Sequence, residues 1–283
     1  LKVNSYMNGL GNTVPAISST NDIVINPQDD TYTKENVTVE AISDRLSGFE
    51  NGFTVEPSEG VVFTKSASNE RARYTFTENG KITFTFKDKW GYTVAKSIEV
   101  KNIDKVAPTI TSDVDENFYN DNYDIFVNIS DDYSGIRTIT LPNGETVNIE
   151  DYEKKTVSTV DGKTVYKVGY EVSTNGTYNF KAVDKAGNVS QINVVVSNIN
   201  KNPPVIIVED YIKTPTNQDI TVNVTATDGT VTDGIGGDDV TLNVSSHTFT
   251  ENGEFKFVAT NKWGSESEVI IKITNIDKVP LDI

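Results

Sequence analysis

The chain has 283 residues, 36% of them hydrophobic, and a formal net charge of −16 from 41 acidic and 25 basic side chains. Such a field repels phosphate backbones and excludes nucleic acid as an expected partner. Cysteine is absent and His247 is the single histidine, which excludes disulfides, thiol nucleophiles, Cys/His zinc sites and a Ser-His-Asp triad in every repeat.

The apolar residues lie in short alternating runs, none approaching bilayer length, so no membrane span is expected. No basic segment followed by an apolar core marks a signal peptide. The chain opens at Leu1 and is expected to be an excerpt of a longer protein. Residues 1–15 read as the tail of a preceding unit or an irregular extension. Asn36–Ser43 (NVTVEAIS) then alternates as a strand with one buried face, and the turn Ser43–Phe49 follows it. Glu50–Arg73 carries no clear pattern.

Thr77–Val106 (TENGKITFTFKDKWGYTVAKSIEVKNIDKV) is the first copy of a repeat. Asn79-Gly80 is expected to supply the positive φ of a tight hairpin turn, and the alternating strand Ile82, Phe84, Phe86 follows. The turn Asp88–Gly91 and a last strand through Ile98 and Val100 complete it. The junction Asn102-Ile-Asp-Lys-Val-Ala-Pro108 is short, and its proline favours a stiff connection.

The same elements return twice, the hairpin and junction without a gap. Tyr123–Ser130 (YDIFVNIS) and Asp219–Thr227 are the matching early strands, followed by Ser130–Ile136 and by the glycine- and aspartate-rich 228–239. Ser173–Asn202 and Thr250–Val279 repeat the hairpin and junction, with Asn175-Gly176 and Asn252-Gly253 at the first turn. In the second copy, further hairpins are expected at Pro142–Gly144 and Asp161-Gly162. Internal repetition of this kind sets the architecture. The chain is expected to be all-β, three tandem immunoglobulin-like β-sandwich domains over 16–106, 107–203 and 204–283, joined by short proline-containing linkers.

These motifs (NIDKVAP at the junction, DDYSGI after the early strand, FKAVDKAGNVS across the last hairpin) resemble the bacterial Ig-like repeats of Gram-positive cell-surface and secreted proteins. The resemblance implies a non-catalytic surface stalk or adhesion segment serving as spacer, adhesin or surface-layer module. It implies an extracellular location, in the cell wall or surface layer. Implied partners are other domains of the same surface protein, glycan, or a host or cell-surface protein. The alternative is a carbohydrate-binding or accessory region of a secreted carbohydrate-active enzyme.

Candidate sites follow from how tandem Ig-like units meet, with the linker of one unit abutting the B–C and F–G loops of the next. Asp104 is thereby expected near Asp131, Asp132 and Asp184, with Asn188 close by, and Asn200 near Asp228, Asp233, Asp238, Asp239 and Asn261. Calcium takes six to eight oxygen ligands from such groups. Against it, Asp131 and Asp184 serve equally well as turn caps, and Lys105 and Lys201 stand where further acidic ligands would help.

Trp90 and Trp263 hold equivalent places in the last hairpin turn and suit either stacking on a sugar ring or packing at a junction. Glu40 lies on the early strand, but no Lys/Asn/Glu set recurs, so no isopeptide bond is expected. His247 aligns with Tyr74 and reads as structural. No catalytic residue is expected, because the acidic residues cluster in turns and no unit leaves room for a deep cleft beside its own core.

Overall fold

The computed structural model describes residues 5–7, 13–15, 23–25, 31–43, 53–56, 58–65, 70–87, 93–114, 116–228 and 240–280. Trp90, Asp233, Asp238 and Asp239 lie outside them. Apart from one 3₁₀ turn at Ile149–Asp151, the regular elements among the described residues are strands. No helix among these residues is long and apolar enough to cross a membrane.

Strands β1 (Ser5–Met7) and β2 (Thr13–Pro15) pair antiparallel, Tyr6 opposite Val14, within the segment expected to be a tail or extension. The remaining strands form three sheet pairs in chain order. In the first, β3 (Ile23–Ile25), β4 (Val37–Ser43), β7 (Glu70–Phe76) and β6 (Val62–Lys65) make one sheet, in that spatial order. Its companion holds β5 (Phe53–Glu56), β8 (Gly80–Lys87) and β9 (Thr93–Val100).

The second pair has β10 (Thr109–Asp113), β11 (Tyr123–Ser130), β15 (Lys163–Val172) and β14 (Lys155–Val160) in one sheet. In the other are β13 (Thr146–Asn148), β12 (Ile136–Thr140), β16 (Gly176–Asp184) and β17 (Val189–Val196). The third pair has β18 (Val205–Val208), β19 (Ile220–Thr227) and β21 (Ser246–Phe249) against β20 (Val240–Leu242), β22 (Gly253–Asn261) and β23 (Glu266–Ile273). These orders are A-B-E-D against C-F-G in immunoglobulin lettering, with β13 added beside C in the second pair and D missing from the third pair among the described residues. The chain is therefore a tandem series of immunoglobulin-like sandwiches.

By compactness the chain divides into two units, Leu1–Ser112 with Val127–Val168 and Asn179–Ile192, and Asp113–Phe126 with Gly169–Tyr178 and Asn193–Ile283.

Alternation explains the strands. Tyr123, Ile125, Val127 and Ile129 of β11 are buried, as are Ile220, Val222 and Val224 of β19, while their neighbours face outward. Phe84, Phe180 and Phe257 are fully buried at equivalent places on β8, β16 and β22. Each such burial stabilises by about 1.5–3 kcal/mol relative to exposure. In the first pair Phe84 joins Val39, Ala72, Ile82 and Val100 in one core; in the third Phe257 joins Val222, Phe249 and Ile273.

One expectation is corrected. Asn79-Gly80, Asn175-Gly176 and Asn252-Gly253 are not hairpin turns with positive φ. In all three copies they join strands of different sheets, β7 to β8, β15 to β16 and β21 to β22, so no tight two-strand turn forms there. Left-handed backbone is found instead at Asp161-Gly162, at φ 50° and 79°, between β14 and β15, and at Gly144, Gly187 and Gly264 in the turns between β12 and β13, β16 and β17, and β22 and β23. Glu40 is 7% exposed, and Arg71 Nη1 donates to it at 3.0 Å while Arg73, opposite it in the register, donates from Nε. Two guanidinium groups pair with this largely buried carboxylate, which gives the strand acid a structural role.

Candidate functional site

After each last strand the chain runs Asn-Ile-Asp/Asn-Lys, and every side chain in that segment has a fixed partner. The backbone pairs in parallel with the segment preceding strand B: Thr33 N donates to Asn102 O and Asp104 N to Thr33 O, both at 2.9 Å. Tyr119 with Asn198 and Asn200, and Thr216 with Asn275 and Asp277, repeat the pattern at 2.8–3.0 Å. The first Asn reaches across the pairing, Asn102 Nδ2 to Thr31 O at 2.8 Å, Asn198 Nδ2 to Asn117 O at 2.6 Å and Asn275 Nδ2 to Thr214 O at 2.7 Å.

The isoleucine is buried each time, at 5%, 5% and 8% exposure for Ile103, Ile199 and Ile276. Its backbone is held from both sides by the asparagine before strand F. Asn79 donates from Nδ2 to Ile103 O, and its Oδ1 accepts from Ile103 N, both at 2.9 Å. Asn175 with Ile199 and Asn252 with Ile276 do the same at 2.9–3.0 Å. The lysine closes the segment, from Lys105 Nζ to Asn36 Oδ1 at 2.8 Å and from Lys201 Nζ to Asn122 Oδ1 at 2.5 Å, while Lys278 Nζ pairs with Asp219. From sequence alone these residues read as linker. The available signal was the constant spacing of 24 residues between the asparagine and the isoleucine.

The third position carries charge in the first copy. Asp104, Asp131 and Asp184 converge, each offering a carboxylate oxygen within 4.8 Å of the others. Asp104 and Asp184 are 3% and 0% exposed, and Asp131 is half-buried. Asp104 accepts from Val106 N at 3.1 Å and Ser134 N at 3.0 Å, and its carbonyl from Asn188 Nδ2 at 2.9 Å. Asp184 accepts from Asn188 N and Nδ2, both at 2.8 Å. Asp131 Oδ1 accepts from Gly135 N at 2.7 Å, Tyr133 N at 3.0 Å and Ser134 Oγ at 3.4 Å. Its Oδ2 is shut off from solvent and has no hydrogen-bond partner. An oxygen-only set of this kind suits a hard cation.

Asp132 does not join them. It is exposed and pairs with Lys163 at 2.6 Å, which raises the lysine pKa chiefly through that hydrogen bond. Lys163 and Asp132 line a cleft of about 250 Å³ with Tyr166 and Lys185. Tyr166 donates to Glu150 Oε1 at 2.6 Å, and burial, with that bond and charge, pushes its pKa up to about 12. Asp132, Lys163 and Tyr166 are thus engaged in pairs within the fold.

One repeat further along, two of the three acids are amides, Asn200 and Asn261. Asn261 Nδ2 donates to Asp228 Oδ1 and to Asn202 O, both at 3.0 Å, and Asn200 Nδ2 approaches Asp228 Oδ2 at 3.5 Å. Asp228 is 3% exposed. Trp263, in the same turn, is 4% exposed, with its ring edge-on to Phe118 at 5.6 Å and its Nε1 enclosed without a partner. His247 stacks on Phe255 at 3.7 Å between ring centroids, a packing position.

No protein-family model and no curated protein matches the chain. Among solved structures it is similar to a run of titin domains, at 10% identity and TM-score 0.32, with 93% of this chain and 99% of that one covered. It is also similar to the Escherichia coli adhesin FdeC, at 13% identity and TM-score 0.33, with 88% and 95% covered. A third similar structure is the N-terminal eight Ig domains of Down syndrome cell adhesion molecule, at 15% identity and TM-score 0.29. It covers 96% of this chain and 43% of that one, so the chain spans under half its length. The fold assignment rests on strand order.

Proposed function

We propose that the chain is a non-catalytic segment of an extracellular bacterial surface protein, in which repeats 16–106, 107–203 and 204–283 act as a tension-bearing spacer. The observation that carries this reading is the parallel pairing of the incoming and outgoing segments of each repeat, as at Thr33 and Ile103. Pulling along the chain loads those backbone hydrogen bonds together in shear. The Asn-Ile exchange anchors the outgoing side, so a repeat holds until several bonds break at once. A glycan-stacking role would be favoured by an exposed indole face, whereas Trp263 packs on Phe118.

Single-molecule stretching of the chain tests this. Three separate rupture events are expected, each releasing the extended length of one repeat, roughly 300 Å. Extension at low force without discrete events would overturn the reading.

A further inference from the structure

We propose that Asp104, Asp131 and Asp184 bind one calcium ion. The proposal is independent of the spacer reading, which is tested by force and not by metal.

Three observations carry it. The carboxylates lie within 4.8 Å of one another, two of them almost wholly buried, and none takes part in an ion pair among the described residues. Like charges held this close away from water repel, and a cation between them reverses the sign of that interaction. Second, Asp131 Oδ2 is enclosed and receives no hydrogen bond, whereas every other carboxylate oxygen of the three accepts at least one. A buried acceptor left open asks for a donor or a metal.

The third observation is internal to the chain. At the equivalent places of the next repeat, Asn200 and Asn261 stand where Asp104 and Asp184 stand, and Asn261 donates to the remaining acid, Asp228, at 3.0 Å. There the amides supply the positive end that the lone carboxylate needs. The first cluster keeps three negative groups and has no such donor to Asp131 Oδ2.

The ligands come from three separate segments, after β9, after β11 and at the end of β16. Calcium tolerates irregular geometry of this kind, with carbonyls and waters completing its shell, better than magnesium does. Bound there, the ion would tie the outgoing segment of the first repeat to two loops of the next set of strands.

Calcium chloride titrated calorimetrically into the chelator-stripped chain is expected to give one-site binding, with a melting temperature that rises with calcium concentration. The double variant Asp104→Asn/Asp184→Asn, which copies Asn200 and Asn261, is expected to fold and to bind calcium at least about tenfold more weakly. Asp131→Asn, which keeps the Oδ1 acceptor, gives a second test with the same expected weakening. Asp132→Asn is the control and should bind as the parent does. Absence of heat and of any melting shift up to millimolar calcium would overturn the proposal. So would parental affinity in both Asp131→Asn and the double variant.

Discussion

Asn79 and Ile103 exchange two hydrogen bonds of 2.9 Å, the asparagine side chain acting on the isoleucine backbone as a second strand would. The same exchange joins Asn175 to Ile199 and Asn252 to Ile276, always 24 residues apart. Truncating any of the three asparagines leaves a backbone N–H and a carbonyl without partners beside a buried side chain. Asn79→Ala, Asn175→Ala and Asn252→Ala are each expected to destabilise their own sandwich by ~1–3 kcal/mol, measured by denaturant unfolding. A change within experimental error in all three would remove the exchange from the account of stability.

Trp263 distinguishes packing from recognition. Its ring is 4% exposed against Phe118, and its Nε1 has no partner to lose. Trp263→Ala is therefore expected to cost about 3–5 kcal/mol, and Trp263→Phe clearly less, since only volume is given up. Denaturant unfolding reads both; an alanine variant as stable as the parent would contradict the packing role.

Tyr166 gives a pH dependence. Burial, then the hydrogen bond to and charge of Glu150, raise its folded pKa to about 12 from an ordinary value of 10.0. The folded state then holds a proton that the unfolded state releases. This contribution is full below pH 10 and is lost as pH rises towards 12. Tyr166→Phe is expected to flatten the stability profile in that window while shifting the neutral baseline. An unchanged slope would locate the alkaline sensitivity elsewhere.

The turn between β14 and β15 is set by backbone conformation alone. Gly162 has φ of 79°, and a Cβ built there meets nothing within 4 Å. Gly162→Ala is expected to cost about 1 kcal/mol from the left-handed φ without any steric contribution. A thermal melt of the variant checks the size, and a stabilised variant would contradict it.

The sheets that were legible in the sequence are those whose strands alternate under a buried face. Tyr123, Ile125, Val127 and Ile129 signal β11 directly, and so do Phe180 and Ala182 in β16. Edge strands gave no such signal. Val62 and Phe63 of β6 are 60% and 54% exposed, and β14 is open to solvent along most of its length. The Asn-Gly pairs misled because local turn chemistry does not say whether the next strand pairs with the last or crosses to the other sheet. Asp104, Asp131 and Asp184 could be placed together from the topology of tandem sandwiches. Asp132, one position further, leaves the cluster because it pairs instead with exposed Lys163. Nothing local told that Ile103, Ile199 and Ile276 belong to the sandwich before them, since their partners lie 24 residues back and, across the parallel bridge, at Thr33, Tyr119 and Thr216.

That each outgoing segment is part of its own sandwich is tested most directly by amide hydrogen exchange at Ile103, Ile199 and Ile276. All three N–H groups donate to an asparagine Oδ1 at 2.9 Å. Exchange as slow as that of the core strands is expected at all three, opening only with the sandwich that each one closes. Exchange at the rate of an exposed linker amide, at all three positions while the strands stay protected, would contradict it.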